Sequence, residues 1–155
     1  MPVLPQRSKL PHGLPSWVDA HSFFFVTVCT MPKGRDQLCG RGVGERLINS
    51  AKFYHDQSTW FVRAFLVMPD HVHAILSLNP AKGMKAIVSD WKRYISRTEK
   101  IEWQRDFFDH RLRNEREMTE KIHYVLENPV RAGLVEHSDA WPYRWCPHLD
   151  DQGDD

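Results

Sequence analysis

Residues 59–79, TWFVRAFLVMPDHVHAILSLN, constrain the fold more than any other part of the chain. Two apolar, β-branched and aromatic runs flank Pro69 and Asp70, a pair suited to a tight turn, so the stretch predicts a β-hairpin. Upstream, SFFFVTVCTM (residues 22–31) reads as a buried strand, followed by the Gly/Pro/charge-rich loop PKGRDQLCGRG. A helix follows, because Leu47, Ile48, Ala51 and Tyr54 recur at helical spacing. Downstream, residues 84–98 carry Met84, Ile87, Val88, Trp91, Tyr94 and Ile95 on one apolar stripe, which assigns Tyr94 to the core. FFDHRLRN then reads as a short strand. The last helix opens at Asn114, whose side chain can cap free amides, with Glu117 three residues on in capping-box position.

The order β-α-β-β-α-β plus a helix predicts an α+β, ferredoxin-like split βαβ fold. Its sheet is antiparallel with helices on one face, and a C-terminal tyrosine-bearing helix is added. With 155 residues, 41% hydrophobic and 26% charged, the chain fits one compact domain, placed at residues 1–149. Residues 150–155, DDQGDD, form an acidic tail expected to be disordered; without its four aspartates the formal net charge rises from +1 to +5. No run of eighteen apolar residues exists, and MPVLPQRSKLPHGLPSW is too rich in proline and charge for an export signal, so a cytoplasmic protein without membrane contact is expected. Cys29, Cys39 and Cys146 form no CxxC pair, which argues against a disulfide framework or a thiolate zinc site.

Lys92, Arg93, Arg97, Lys100, Arg105, Arg111, Arg113 and Arg116 alternate with Trp91, Tyr94, Trp103, Phe107 and Phe108. Cations beside aromatic rings suit a flexible polynucleotide, and an ordinary solvated face over a core fits the same pattern. Arg93, Arg97, Arg113 and Lys121 are candidate DNA contacts on this reading.

In the second strand of the hairpin, His71, His73, Ile75 and Ser77 share one face while Val72, Ala74, Leu76 and Leu78 share the other. The second row is core. The first sets two imidazoles where both can reach one cation, although two hydrogen-bonded histidines satisfy the same spacing. A catalytic cation needs a third protein donor and open positions. On the final helix, Met118, Ile122, Val125 and Leu126 form the packing stripe, and Tyr124 lies about 160° from its middle. Asn128 follows four residues later on the same outward face. Pro129 disfavours helical torsion at Asn128 and places it in a frayed or kinked last turn. An exposed polar face with an incidental tyrosine is the competing account.

HVH (residues 71–73) is the histidine–hydrophobe–histidine pattern of the HUH endonuclease superfamily. PDHVHAIL, then WQRDFFDHRLRNEREMTEKIHYVLENPVRAGLV, then WPYRW resemble the REP-associated tyrosine transposases over roughly residues 13–147. The most specific part is the combination of WQ, F-x-H-x-x-R, Y-x-x-x-N-P and the closing W-P. The resemblance implies that His71, His73 and Asn128 hold Mg²⁺ or Mn²⁺ and that Tyr124 is the nucleophile. His110 and Arg111 match the strand before the tyrosine helix, where they would contact DNA or brace the site. The partner implied is single-stranded DNA with hairpin structure, bound by a monomer or a homodimer.

The implied reaction is metal-dependent single-strand cleavage and strand transfer through a 5′-phosphotyrosine. A phenol, with a pKa of about 10, is a weak nucleophile at neutral pH, so attack on phosphorus requires a placed phosphate whose developing charge is stabilised. Because the tyrosyl ester conserves the phosphodiester's energy, a 3′-hydroxyl can reverse the step without a nucleotide cofactor. The alternative is a domesticated, noncatalytic module binding hairpins in single-stranded DNA or RNA. An RNA-recognition domain lacks its glycine and basic framing around FFFVTVCT, and a two-histidine phosphoesterase would need two H-x-[ST] motifs where this chain reads H-V-H-A.

Overall fold

The computed structural model describes residues 14–19 and 21–150. Its centre is a five-stranded antiparallel sheet whose strands are β1 (Phe23–Cys29), β2 (Trp60–Met68), β3 (His71–Leu78), β4 (Phe108–Arg111) and β5 (Arg144–Trp145). They lie in the order β4-β1-β3-β2-β5. Strand β3 is central, paired with β1 from Phe23↔Ser77 to Cys29↔His71 and with β2 from Trp60↔Leu78 to Met68↔His71. The expected hairpin is present, with Pro69 and Asp70 as its two-residue turn. A bulge at Arg63, between Val62 and Ala64, shifts the register of β2 by one residue. That shift puts Trp60, Val62 and Phe65 on one face despite their odd spacing.

Helices α1 (Val43–Asp56) and α2 (Met84–Glu99) cover that face. Val26, Val28, Val72, Ala74 and Leu76 meet Val88 and Trp91 there. The large indoles are admitted because their N–H groups are satisfied. Trp60 Nε1 donates to Ala51 O at 3.0 Å, Trp91 Nε1 to Ser50 Oγ at 2.9 Å and Trp103 Nε1 to Lys92 O at 3.0 Å. Helix α3 (Glu115–Leu126) takes the opposite face, burying Met118 and Val125, which contribute about 1.5–3 kcal/mol each. The split βαβ arrangement with an added C-terminal helix is therefore as expected.

The start of α3 follows its sequence signal only in part. Asn114 Oδ1 accepts from Glu117 N at 2.9 Å, but the Glu117 carboxylate meets His110 Nε2 at 3.2 Å instead of returning to the cap. The helix ends at Leu126. Pro129, which lacks an N–H, sits at the start of a separate turn, α4 (Asn128–Arg131), so the kink expected near Asn128 is present.

Two expectations change. Tyr94 is not core; it is 50% exposed. Ile87, Val88, Trp91 and Ile95 fill the groove beneath α2, and Tyr94 lies about 75° from the middle of that stripe, on its flank. Lys92, read as part of a basic face, is buried, and its ammonium donates to the carbonyl oxygens of Gln104, Arg105 and Asp106 at 2.8, 3.1 and 3.4 Å. It anchors the loop before β4. The two-residue β5 is too short to show any alternation and went unforeseen. The acidic stretch begins in order: Asp150 closes α5 (Pro147–Asp150), and its carboxylate accepts from Cys146 N at 2.9 Å. Residues 151–155 of the expected tail lie outside the described residues. All three cysteines are free and buried. Among the described residues no helix is long and apolar enough to cross a membrane.

Candidate functional site

The face covered by α3 carries His71 and His73, whose ring centroids are 4.6 Å apart. This face is drier than alternation suggested. Ile75 and Ser77 are fully buried and His73 is 9% exposed, so only the His71 end opens toward solvent. Burial and the positive charges of His71, Arg131 and Lys121 push the His73 imidazole down to about 3, which keeps it neutral and able to offer a lone pair.

Each imidazole has its Nδ1 engaged, a point the sequence reading missed. His71 Nδ1 is 2.7 Å from Asp70 Oδ1, so it carries the proton that the carboxylate accepts. His73 Nδ1 is 2.9 Å from Thr27 Oγ1. In the tautomer where Nδ1–H donates to that hydroxyl oxygen, both rings present Nε2 for coordination. Asp70 is itself held. Its Oδ2 accepts from Gly34 N at 2.9 Å, and its carbonyl oxygen accepts from both the amide and the hydroxyl of Thr30 at 2.9 Å. Burial raises the Asp70 pKa, but the hydrogen bonds from His71 and Gly34 outweigh it and leave the carboxyl below its ordinary value. Proximity in sequence could have flagged Asp70; Thr27 emerges only from the Thr27↔His73 register.

Tyr124 projects from α3, 46% exposed, as its position off the packing stripe required. Lys121 Nζ sits 4.9 Å from the Tyr124 ring centroid and 4.9 Å from that of Phe25. Phe25 in turn packs 5.1 Å from the His73 ring. The tyrosine and the imidazole pair thus occupy one face, bridged by one lysine and one phenylalanine. The Arg131 guanidinium also lies against the Tyr124 ring, with Cζ 4.0 Å from the centroid and Nη2 donating to Tyr124 O. Arg131 was also missed, since it lies beyond the proline where the helical pattern stops.

Asn128 opens α4, and its amide has no hydrogen-bond partner among the described residues. Two imidazoles and an amide oxygen are donors a divalent cation can use, although imidazole by intrinsic affinity favours Zn²⁺ over Mg²⁺. Among the described residues no group of three or more His, Cys, Asp or Glu is placed to hold a metal.

The candidate DNA contacts divide. Lys121 lies at the site. His110 pairs with Glu117, and Arg111 Nε donates to His21 O at 3.0 Å, so both brace β4 against its neighbours. Arg113 is exposed between β4 and α3. Arg93 and Arg97 lie on α2, across the sheet from the histidines, with Arg93 paired to Asp90.

The family model "Transposase IS200 like" matches residues 22–128, which contain both histidines, Tyr124 and Asn128. The REP-associated tyrosine transposase of Escherichia coli (strain K12) is 29% identical over 87 residues, covering 53% of this chain and 52% of that protein. An uncharacterized protein of Haemophilus influenzae is 23% identical over 150 residues, covering 72% of this chain and 82% of its own. The chain spans about half the length of the curated transposase relatives it matches. A solved REP-associated tyrosine transposase bound to a REP hairpin superposes with a TM-score of 0.71 at 21% identity, covering 91% of this chain and 86% of that one; the likeness is one of fold.

Proposed function

The chain belongs to the family of IS200-like transposases, and from that premise we propose that it cleaves and rejoins single-stranded, hairpin-forming DNA through a covalent tyrosyl phosphodiester. One observation carries the reading. An exposed phenol, Tyr124, shares a sheet face with the paired imidazoles and is joined to them through Lys121 and Phe25.

In this mechanism the Tyr124 oxygen forms a bond to phosphorus while the bond from phosphorus to the 3′ oxygen breaks. The phenolic proton is lost to solvent, and the departing 3′ oxygen takes a proton back, so charge and atoms balance. His71, His73 and Asn128 would hold a Mg²⁺ or Mn²⁺ ion, which when bound supplies Lewis-acid stabilisation of the phosphate's nonbridging oxygens. With Nδ1–H donating to Asp70 and to Thr27, both Nε2 atoms are left for it. Lys121 adds positive charge beside the Tyr124 ring. Packing of Met118 and Val125 fixes α3 against the sheet, so the phenol is presented by a rigid element. In the reverse step a 3′-hydroxyl from another strand displaces the tyrosine.

The test is incubation with labelled single-stranded hairpin DNA and Mn²⁺, followed by a denaturing gel. The wild-type chain should give a shifted covalent band that EDTA abolishes, and Tyr124→Phe should lose the band while still binding DNA. Binding that is indifferent to EDTA, with no covalent band, would instead identify a noncatalytic hairpin-binding module.

A further inference from the structure

Two cations stand against Tyr124, and among the described residues neither is held in an ion pair. Arg46 is paired with Glu99, Lys82 and Arg93 with Asp90, and Arg116 with Glu120. Lys121 and Arg131 have no carboxylate partner among the described residues; their contacts are aromatic rings and one backbone carbonyl. Both stand against the same phenol.

Their placement is built into the local fold. Lys121 is one turn before Tyr124 on α3, on the same outward face. Arg131 is returned to that face from beyond the break between α3 and α4, where Pro129 is buried in the first turn of α4. A guanidinium has five N–H donors, and a single one goes to the Tyr124 carbonyl, so the others remain for a ligand. Contact with the ring at 4.0 Å and the bond to the Tyr124 carbonyl restrain the group.

We propose that Lys121 and Arg131 form a phosphate-binding clamp across the Tyr124 ring, seating a phosphodiester against the phenol independently of any metal. The proposal rests on the transposase reading for its purpose, but not for its existence as an anion site. A planar fork paired with a point charge suits the oxygens of a tetrahedral phosphate better than a chloride. The clamp would hold the phosphodiester before attack and the tyrosyl ester after it. A structural reading of Arg131, as a cation closing the carbonyl end of α3, predicts no such ligand.

The experiment is an NMR titration of the full chain, labelled with ¹³C in its tyrosine rings, in EDTA at fixed ionic strength. The Tyr124 resonance is assigned by its loss in Tyr124→Phe, and the probe is inorganic phosphate with chloride as control. The clamp predicts a saturable shift of the Tyr124 signal with phosphate, at least about tenfold weaker binding in Arg131→Gln and in Lys121→Gln, and partial recovery in Arg131→Lys. Unchanged far-UV circular dichroism in the variants separates lost binding from lost folding. A Tyr124 signal indifferent to phosphate, or a shift that persists unaltered in both glutamine variants, overturns the clamp. Paired with the denaturing gel, the result separates the two ideas. A covalent band without the phosphate response refutes the clamp alone, and a response without a band refutes the transposase reading alone.

Discussion

Acidification should destabilise this protein through one identifiable side chain. His73 is buried beneath α3, and burial together with the charges of His71, Arg131 and Lys121 pushes its pKa from 6.5 down to about 3. Because the folded-state value is depressed, the stability it contributes is complete above about pH 6.5. It is lost progressively as pH falls toward about 3, where the folded form at last takes up the proton that the unfolded chain already holds. Between about pH 8 and about pH 4.5 this single group costs about 2–3 kcal/mol, from about 1.4 kcal/mol per pH unit over the two units below 6.5. For a domain of this length that corresponds to a loss of roughly 5–10 °C in Tm. Thermal melts in EDTA at both pH values, for wild type and His73→Gln, isolate the effect, because glutamine lacks the titrating group. The variant's Tm should fall by clearly less than that of wild type. Equal falls in the two proteins would refute the reasoning, since the acid sensitivity would then reside elsewhere.

Replacing Asp70 by Asn removes the carboxylate that accepts from His71 Nδ1, and Mn²⁺ affinity measured by calorimetry should drop about 10–100-fold. Lys92→Ala strips three carbonyls of their donor and should cost about 1–3 kcal/mol in urea denaturation, with the loop before β4 gaining proteolytic sensitivity. Asn114→Ala removes the N-cap of α3, and its cost of about 1 kcal/mol should be read by the same method. Gly44→Ala sets a Cβ 2.5 Å from Tyr143 Cδ1, so a melt should show destabilisation unless that ring can swing away.

The sheet was legible because β1, β2 and β3 are long and apolar, and α1 and α3 because their stripes repeat at helical spacing. Register was not. Only the pairing of Thr27 with His73 and of Phe25 with Ile75 shows which β1 side chains surround the imidazoles. The stripe on α2 was drawn one residue too wide, because periodicity cannot tell the flank of a buried face from its centre, and Tyr94 sits on that flank. Lys92 misled for the opposite reason. Its charge suggested surface, whereas three carbonyls from a following loop satisfy its ammonium inside. At the site, Tyr124 stands out as an aromatic that packing leaves unexplained, and its role as nucleophile is what the resemblance implies. Arg131 escaped because a proline ended the pattern, and the chain's return at that proline is what brings it to the phenol.

The account depends on Tyr124, and not another tyrosine, meeting the phosphorus. Reaction with a labelled hairpin oligonucleotide and Mn²⁺, tryptic digestion and mass spectrometry of the peptide–nucleotide adduct tests this directly. The label should fall on the peptide spanning residues 122–131, at Tyr124. A nucleotide attached to Tyr54, Tyr94 or Tyr143, or its absence from every tyrosine under conditions where the DNA is cut, would contradict it.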